Sequence, residues 1–270
     1  MPTLKVRAGG VVGYDDEGAG PVVMLIHGSP GTSRAWQAVG ERLASRFRVI
    51  APNLPGYGTT TRPPGEGPGD SSYAAELIEA LSAEVGPPAV LAGHSYGGVV
   101  ALVTAMRGQV SPGALALFEP VAVPVLAAVG DTATFAQAQA MFADYRGAFE
   151  AGDRLAVRRM VDYWFGSGMF ERMPAPTREF LMSHTGHNIR DVHATFRDPY
   201  SVDALRRLAM PVLVAYGSRS PEVTVRIARA ITSQVARGRL EKIEQANHAL
   251  TSTHVDAVAA LIAGLADRSA

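Results

Sequence analysis

Short apolar runs that read as β-strands alternate along this chain with stretches that read as helices. Between the runs, apolar residues recur at helical spacing, as in Trp36, Val39 and Leu43. Strands that alternate with helices predict a mostly parallel sheet with helices on both faces, a doubly wound α/β fold. The strand-like runs are PVVMLIHG (21–28), RVIAPNLPGYG (48–58), AVLAG (89–93), GALALFEP (113–120), MPVLVAYG (210–217) and GRLEKIE (238–244).

One long segment interrupts this alternation. Between Glu119 and Met210 the sequence shows helical patterns and no strand-like run. We therefore predict an α/β core formed by residues 1–120 and 209–270, with a helical cap inserted at 121–208.

Composition narrows the possible chemistry. Lys plus Arg and Asp plus Glu number 25 each, so no net positive field favours nucleic acid or an anionic membrane surface as a partner. Cysteine is absent, which excludes disulfides and thiolate chemistry. The N-terminus lacks the apolar core of a secretory signal, and the most hydrophobic run, 114–130, contains Glu119, Pro120 and Pro124. A cytoplasmic protein without a membrane span is the expectation.

The stretch GHSYGG, residues 93–98, places one serine between small residues directly after a strand-like run and before a helical one. In a G-x-S-x-G sequence at that position the serine occupies a sharp, strained turn, where larger neighbours would collide. Its hydroxyl is then exposed at the N-terminus of a helix, whose backbone N–H groups stabilise negative charge. Ser95 is therefore a candidate nucleophile.

Three motifs together resemble the α/β-hydrolase superfamily: GHSYGG, HGSPG at 27–31 and LPGYG at 54–58. The resemblance covers essentially the whole chain and implies that Ser95 is the nucleophile. It also implies that the backbone amides of Ser29 and Tyr96 form the oxyanion hole. His27 and His94 are interpreted as residues that orient loops through hydrogen bonds.

A serine hydroxyl needs a base that accepts its proton. In the superfamily this base follows the last strand, where IEQANHALTSTH contains His248. His248 is therefore the predicted base, whereas His254 lies farther on in a helical pattern and is interpreted as exposed or capping. The remaining histidines, His184, His187 and His193, lie in the predicted cap without the H-E-x-x-H spacing of a metal site, and no metal or cofactor is expected.

The acid that orients the histidine usually follows the preceding strand, but there the segment YGSRSPEV has Ser220. Serine cannot supply the negative charge that stabilises an imidazolium. Glu222, in the following turn, is one alternative. Glu119, at the end of LALFEPV, is the other and the preferred one, because a carboxylate at the end of an apolar strand is costly to bury unless it is paired.

The resemblance implies an acyl transfer through an acyl-enzyme, with a carboxylic ester as the most general substrate. A serine at position 95, in the predicted turn, argues against the haloalkane dehalogenase and epoxide hydrolase branches of the superfamily, which use a carboxylate nucleophile. Carbon-carbon bond hydrolase, perhydrolase, lactonase and aminopeptidase remain alternatives. Because Ser220 replaces the usual acid, a ligand-binding protein of this fold with weak or no catalysis stays open as well.

The predicted cap concentrates large apolar residues in MVDYWFGSGMFERM, residues 160–173. Such a cluster is more typical of helix packing than of a pocket. If part of it lines the cleft, the substrate is apolar and modest in size, and residues 120–129 are placed to form an apolar wall. Arg158 or Arg159 could anchor an anionic group. The sequence does not indicate the oligomeric state.

Overall fold

The computed structural model describes residues 2–5, 10–62 and 69–268, and within them the strands form one eight-stranded sheet. The sheet order is 1-2-4-3-5-6-7-8, numbered along the chain. The strands are β1 (Thr3–Lys5), β2 (Val11–Glu17), β3 (Val22–Ile26), β4 (Arg48–Pro52), β5 (Val90–His94), β6 (Ala114–Phe118), β7 (Val212–Gly217) and β8 (Gly238–Ile243).

Strands β3 to β8 pair in parallel, which confirms the predicted mostly parallel α/β sheet. The two N-terminal strands pair antiparallel and were not predicted. Strand β1 has three residues, two of them exposed, and β2 ends in the acidic run Asp15–Glu17, so neither has the apolar pattern of a buried strand.

Helices cover both faces of the sheet. Ile26 and Leu117 point to one face and share a hydrophobic cluster with α2 (Ser72–Val85), α3 (Tyr96–Arg107) and α11 (Glu222–Gln234). Their chain neighbours Leu25 and Phe118 point to the other face and pack with α1 (Gln37–Leu43) and α13 (Val255–Ala266). The side chains of a strand alternate between faces, so these apolar strands supply two cores at once. A 3-10 turn (Ser33–Trp36) precedes α1, and a short helix, α12 (Leu250–Thr253), precedes α13.

The chain between β6 and β7 is helical, as predicted. Its helices are α4 (Pro124–Ala128), α5 (Thr132–Glu150), α6 (Val157–Phe165), α7 (Met169–Arg172), α8 (Ala175–Ser183), α9 (Thr185–Thr195) and α10 (Val202–Arg206).

Turns divide this segment into separate helices. The break after α5 comes at Gly152, whose φ of 86° lies in the left-handed region that favours glycine. The same hydrophobic cluster contains apolar side chains of this segment and of α3, so the division into a core and a separate cap domain at 121–208 remains a prediction. In the described part of the chain, no helix combines the length and the apolar character needed to cross a bilayer.

Candidate active site

Ser95 lies at the turn between β5 and α3, with a φ of 55° and a ψ of −121°. The turn depends on the small residues beside it. A Cβ at Gly93 would lie 2.1 Å from the carbonyl oxygen of Gly97, and a Cβ at Gly97 would lie 2.2 Å from that of Ile26. No side chain fits at such distances, so the glycines allow β5 to turn into α3 and hold Ser95 at the carboxyl edge of the sheet.

The imidazole of His248 lies beside this serine. His248 is in the loop after β8, and its Nε2 lies 3.1 Å from Ser95 Oγ. Its Nδ1 lies 2.7 Å from Oε2 of Glu119. Since a carboxylate only accepts hydrogen bonds, Nδ1 carries the proton and Nε2 faces the serine hydroxyl as an acceptor.

Glu119 follows the last residue of β6 and is fully buried. The backbone N–H of Gly217 donates to its Oε1 at 2.6 Å, and the hydroxyl of Ser220 donates to the same oxygen. Burial opposes the charge of this carboxylate, but the hydrogen bonds from His248, Ser220 and Gly217 outweigh burial and hold the pKa of Glu119 below its ordinary value. Ser220, at the usual position of the acid, therefore contacts the carboxylate that reaches His248.

The other candidates lie elsewhere. Glu222 is exposed at the start of α11 and pairs with Arg226 at 3.2 Å. His254 is half-buried at the N-terminus of α13. In residues 121–208, named the cap segment from here on after their predicted role, the rings of His184 and His187 lie 5.8 and 5.9 Å from that of Tyr57, and His193 is exposed. No group of three potential metal ligands occurs within the described residues.

His27 and His94 make the hydrogen bonds expected of loop-orienting residues. The N–H of Leu54 donates to His27 Nε2 at 2.9 Å, and His27 Nδ1 donates to the Gly28 carbonyl at 2.7 Å. His94 Nε2 donates to the backbone carbonyl of His248 at 2.8 Å. Burial lowers the pKa of His27 to about 4 and that of His94 to about 3, so both rings are neutral at pH 7.

The structure brings Ser29 and Tyr96 to the same cavity as Ser95. Tyr96 is the first residue of α3, where a backbone N–H has no carbonyl acceptor one turn earlier. Ser29 lies in the loop after β3, and a Cβ at the adjacent Gly28 would come within 3.0 Å of Ser95 Cβ. The loop with Ser29 is therefore in van der Waals contact with the serine turn.

Aromatic side chains of α6 enclose His248. The Trp164 ring stacks on the imidazole with centroids 5.4 Å apart, and Phe165 meets it edge-on at 4.9 Å. Aromatic rings over an imidazole exclude water from it, and they attract the imidazole when it becomes a cation. The cap segment therefore contacts the site directly.

The cavity over Ser95 has a volume of about 340 Å³. Val121 adds the expected wall, and five apolar residues of the predicted cluster line the cavity: Met160, Val161, Trp164, Phe165 and Met173. No Lys, Arg, Asp or Glu is among the described residues that line it. The suggested anion anchors lie elsewhere, because Arg159 pairs with Asp144 and Asp153, and Arg158 with Glu171.

Two buried residues of α9, Asn188 and Asp191, were not predicted from the sequence as residues near the site. Asn188 lines the cavity, and Asp191 lies behind it. Both bond to residues more than 125 positions away along the chain. Their spacing of three puts them on one helix face, but polar residues on a helix ordinarily indicate a solvated face.

The fold and the site define a class. A mostly parallel eight-stranded sheet with a serine at the turn between its fifth strand and the following helix is an α/β-hydrolase fold. The family model described as "Alpha/beta hydrolase family" matches residues 23–261, and the chain belongs to that family.

Curated relatives resemble the chain in part or at low identity. A 2-hydroxy-6-oxo-2,4-heptadienoate hydrolase of Pseudomonas putida F1 is 41% identical over 106 residues, which is 38% of this chain and 38% of the relative. The chain thus matches well under two thirds of that relative's length. A 2-hydroxymuconate semialdehyde hydrolase of Pseudomonas sp. CF600 is 26% identical over 95% of this chain and 90% of its own.

Solved structures support the fold alone. A thermophilic esterase from Thermogutta terrifontis superimposes with a TM-score of 0.77 at 22% identity, covering 100% of this chain and 99% of its own. An enol-lactonase from Burkholderia xenovorans gives a TM-score of 0.71 at 18% identity, covering 98% of this chain and 99% of its own.

Proposed function

We propose that this protein is a serine hydrolase that cleaves uncharged, apolar carboxylic esters through an acyl-enzyme. The observation that carries the proposal is the hydrogen-bonded chain from Ser95 through His248 to Glu119 beneath an apolar cavity. The chain contains a nucleophile, a base within reach of its proton, and a carboxylate that orients the base.

In this mechanism Ser95 Oγ attacks the ester carbonyl while His248 Nε2 takes its proton. The negative charge on the carbonyl oxygen is stabilised by the backbone N–H groups of Ser29 and Tyr96. His248 then protonates the leaving alcohol. A water molecule, deprotonated by the same imidazole, releases the acid and regenerates Ser95. No cofactor takes part.

Glu119 is the proposed acid because its environment keeps it charged. The low pKa of the carboxyl supplies a negative charge 2.7 Å from Nδ1, where it stabilises the imidazolium formed during attack. Ser220 and the Gly217 N–H occupy the other carboxylate oxygen and fix its orientation.

The cavity suggests the substrate class. Its volume of about 340 Å³ suits a small ester, and the apolar side chains over Ser95 bind alkyl or aryl groups by burial. A cavity without a cationic side chain leaves a substrate carboxylate unpaired, which is costly in a buried site.

Carbon-carbon bond hydrolysis is the second candidate, because the Pseudomonas relatives bear the names of such enzymes. A heptadienoate is a carboxylate, and the described lining residues offer it no Lys or Arg. An aminopeptidase substrate carries an ammonium, which finds no Asp or Glu there. The uncharged ester therefore fits this cavity better.

Labelling with a small fluorophosphonate tests the proposal without a guess about the substrate. Intact-protein mass spectrometry of the wild type should show one adduct, mapped to Ser95, and none in Ser95→Ala. The labelled wild type should lose its turnover of p-nitrophenyl esters. A folded wild type that gains no adduct would instead favour a ligand-binding protein without catalysis.

A further inference from the structure

Ser29, whose N–H is a proposed oxyanion donor, is held by side chains of the cap segment. We propose that Asn188 and Asp191 of α9 are positioning residues that set the place of the Ser29 N–H, so that stabilisation of the oxyanion depends on the docked cap helix. The inference rests on the proposed function, and it adds that the rate of the proposed hydrolysis depends on the position of α9.

Two residues of α9 bond to Ser29. Asn188 Nδ2 donates to the Ser29 backbone carbonyl at 2.9 Å and lies 3.0 Å from Ser29 Oγ. Ser29 Oγ donates to Asp191 Oδ2 at 2.7 Å. Asn188 is 2% exposed and Asp191 5%, so water does not compete effectively for these bonds.

A second set of contacts fixes these two side chains. The Tyr145 hydroxyl donates to Asn188 Oδ1 at 2.9 Å, which leaves the NH₂ group for Ser29. The Tyr57 hydroxyl donates to Asp191 Oδ2 at 2.9 Å, and Arg62 pairs with Oδ1 at 3.0 Å. A buried carboxylate that is fully partnered in this way has one orientation.

The two proposed donors differ in how they are held. The Tyr96 N–H belongs to α3 and is fixed by the helix. The Ser29 N–H lies in a loop, and the side chains that hydrogen-bond to its residue are Asn188 and Asp191 of α9 and Tyr57, whose hydroxyl lies 2.9 Å from Ser29 Oγ. A displacement of ~1 Å at a catalytic group can lower a rate ~100-fold. We therefore expect the restraint of this loop to affect the rate of the chemical step.

Asp198 provides a matched control. It is also a buried carboxylate of the cap segment, and it accepts hydrogen bonds from the Ser71 N–H and hydroxyl, each at 2.8 Å. The Tyr200 hydroxyl also donates to Asp198, at 3.3 Å, and the Tyr96 hydroxyl contacts Ser71, but none of these bonds reaches Ser29.

The test is a double-mutant cycle in the full chain with Asp191→Asn, Ser29→Ala, the double variant and Asp198→Asn. Ser29→Ala keeps the backbone N–H and removes only the hydroxyl. The readouts are kcat and KM for p-nitrophenyl butyrate and the rate constant of Ser95 labelling by a fluorophosphonate. Circular dichroism and Tm establish that each variant folds.

We expect each single variant to lower kcat and the labelling rate about 10-fold with KM changed less than about threefold, because ground-state binding is retained. The double variant should lose no more than either single one, since both break the same restraint. Asp198→Asn should stay within about twofold of the wild type.

Single variants with wild-type kcat, or losses that multiply in the double variant, overturn the inference while labelling of wild-type Ser95 leaves the proposed function standing. If Asp191→Asn does not fold, Ser29→Ala decides alone: an unchanged kcat contradicts the inference. A wild type without Ser95 labelling removes the proposed function, and this inference with it.

Discussion

Two residues at the site have a backbone conformation that non-glycine residues rarely adopt. Ser95 has a φ of 55° and Glu119 a φ of 48°. Each is the residue at which the chain leaves its strand. With this backbone conformation, both side chains reach His248. Such conformations cost about 1–3 kcal/mol each and persist where the surrounding structure enforces them. Strain at both ends of one hydrogen-bonded chain fits a catalytic role.

Glu119→Gln should keep the fold and lower kcat by ~10³–10⁴, because a neutral amide neither fixes the tautomer of His248 nor stabilises its cation. Stopped-flow or steady-state ester hydrolysis measures the loss, with far-ultraviolet circular dichroism as the check on folding.

Glu222→Gln is the matched control for this substitution, since Glu222 is exposed and pairs with Arg226. It should retain wild-type turnover. An active Glu119→Gln enzyme would assign the acid to another residue.

Among the strands, helices and turns, the sequence predicted those that leave a pattern in neighbouring residues. The apolar runs gave the strands β3 to β8, and the small residues of GHSYGG predicted the turn at Ser95, because a steric requirement leaves its mark on adjacent residues. The positions of Asn188 and Asp191 left no such mark. Their partners include Ser29, Tyr57 and Arg62, and only tertiary packing brings α9 to them.

Elements of the cap segment also separate two cavities. Phe142 of α5 and Phe196, which follows α9, line the cavity over Ser95 on one side. On the other side they line a groove of about 580 Å³. Their rings are in edge contact with centroids 5.6 Å apart, so they form a wall at the end of the cavity over Ser95.

Phe196→Ala should open this wall and move the preference for p-nitrophenyl esters from four-carbon toward eight-carbon acyl chains. Because each buried methylene contributes ~0.8 kcal/mol, the ratio of kcat/KM for the longer to the shorter ester should rise about 10-fold or more. A series of esters of increasing chain length measures this ratio.

The control is Phe149→Ala in α5, which removes a phenyl ring that is 42% exposed and lines neither cavity. Its chain-length profile should match the wild type. An unchanged profile in Phe196→Ala would show that another side chain limits the acyl group.

At the scale of the whole molecule, the site draws on distant parts of the chain. Ser29, Ser95, Glu119 and His248 meet because parallel strands end at the same edge of the sheet. That convergence is predictable from strand order. The sequence also favoured Glu119 over Glu222, because a carboxylate at the end of an apolar strand needs a partner, but the partners themselves, His248, Ser220 and Gly217, are apparent only in the folded chain.

The buried histidine of the loop after β3 links the stability of the whole molecule to pH. His27 has a pKa of about 4 in the folded protein and 6.5 as its ordinary value, so the unfolded chain binds a proton that the folded one excludes. Its contribution to stability is complete above pH 6.5 and is lost as the pH falls toward 4. At ~1.4 kcal/mol per pKa unit, this loss reaches at most ~3.5 kcal/mol.

His27→Gln should remove this dependence, since an amide can donate to Gly28 and accept from Leu54 without titrating. Urea unfolding of both proteins between pH 7.5 and 4.5 gives the two free energies of unfolding. Their difference should shrink as the pH falls. A difference that stays constant would contradict a neutral, buried His27.

The helical segment predicted as an insertion begins at residue 121, two residues after Glu119, whose carboxylate pairs with His248. The N–H of Glu119 still bonds to the Ala215 carbonyl of the sheet, and the N–H of Val121 bonds to the Ser95 carbonyl at 3.4 Å. The two ends of this segment therefore differ in what they contribute to the site. A graft that replaces these helices must reproduce the backbone at 119–121 to preserve the proposed triad, whereas the return into β7 brings no member of it.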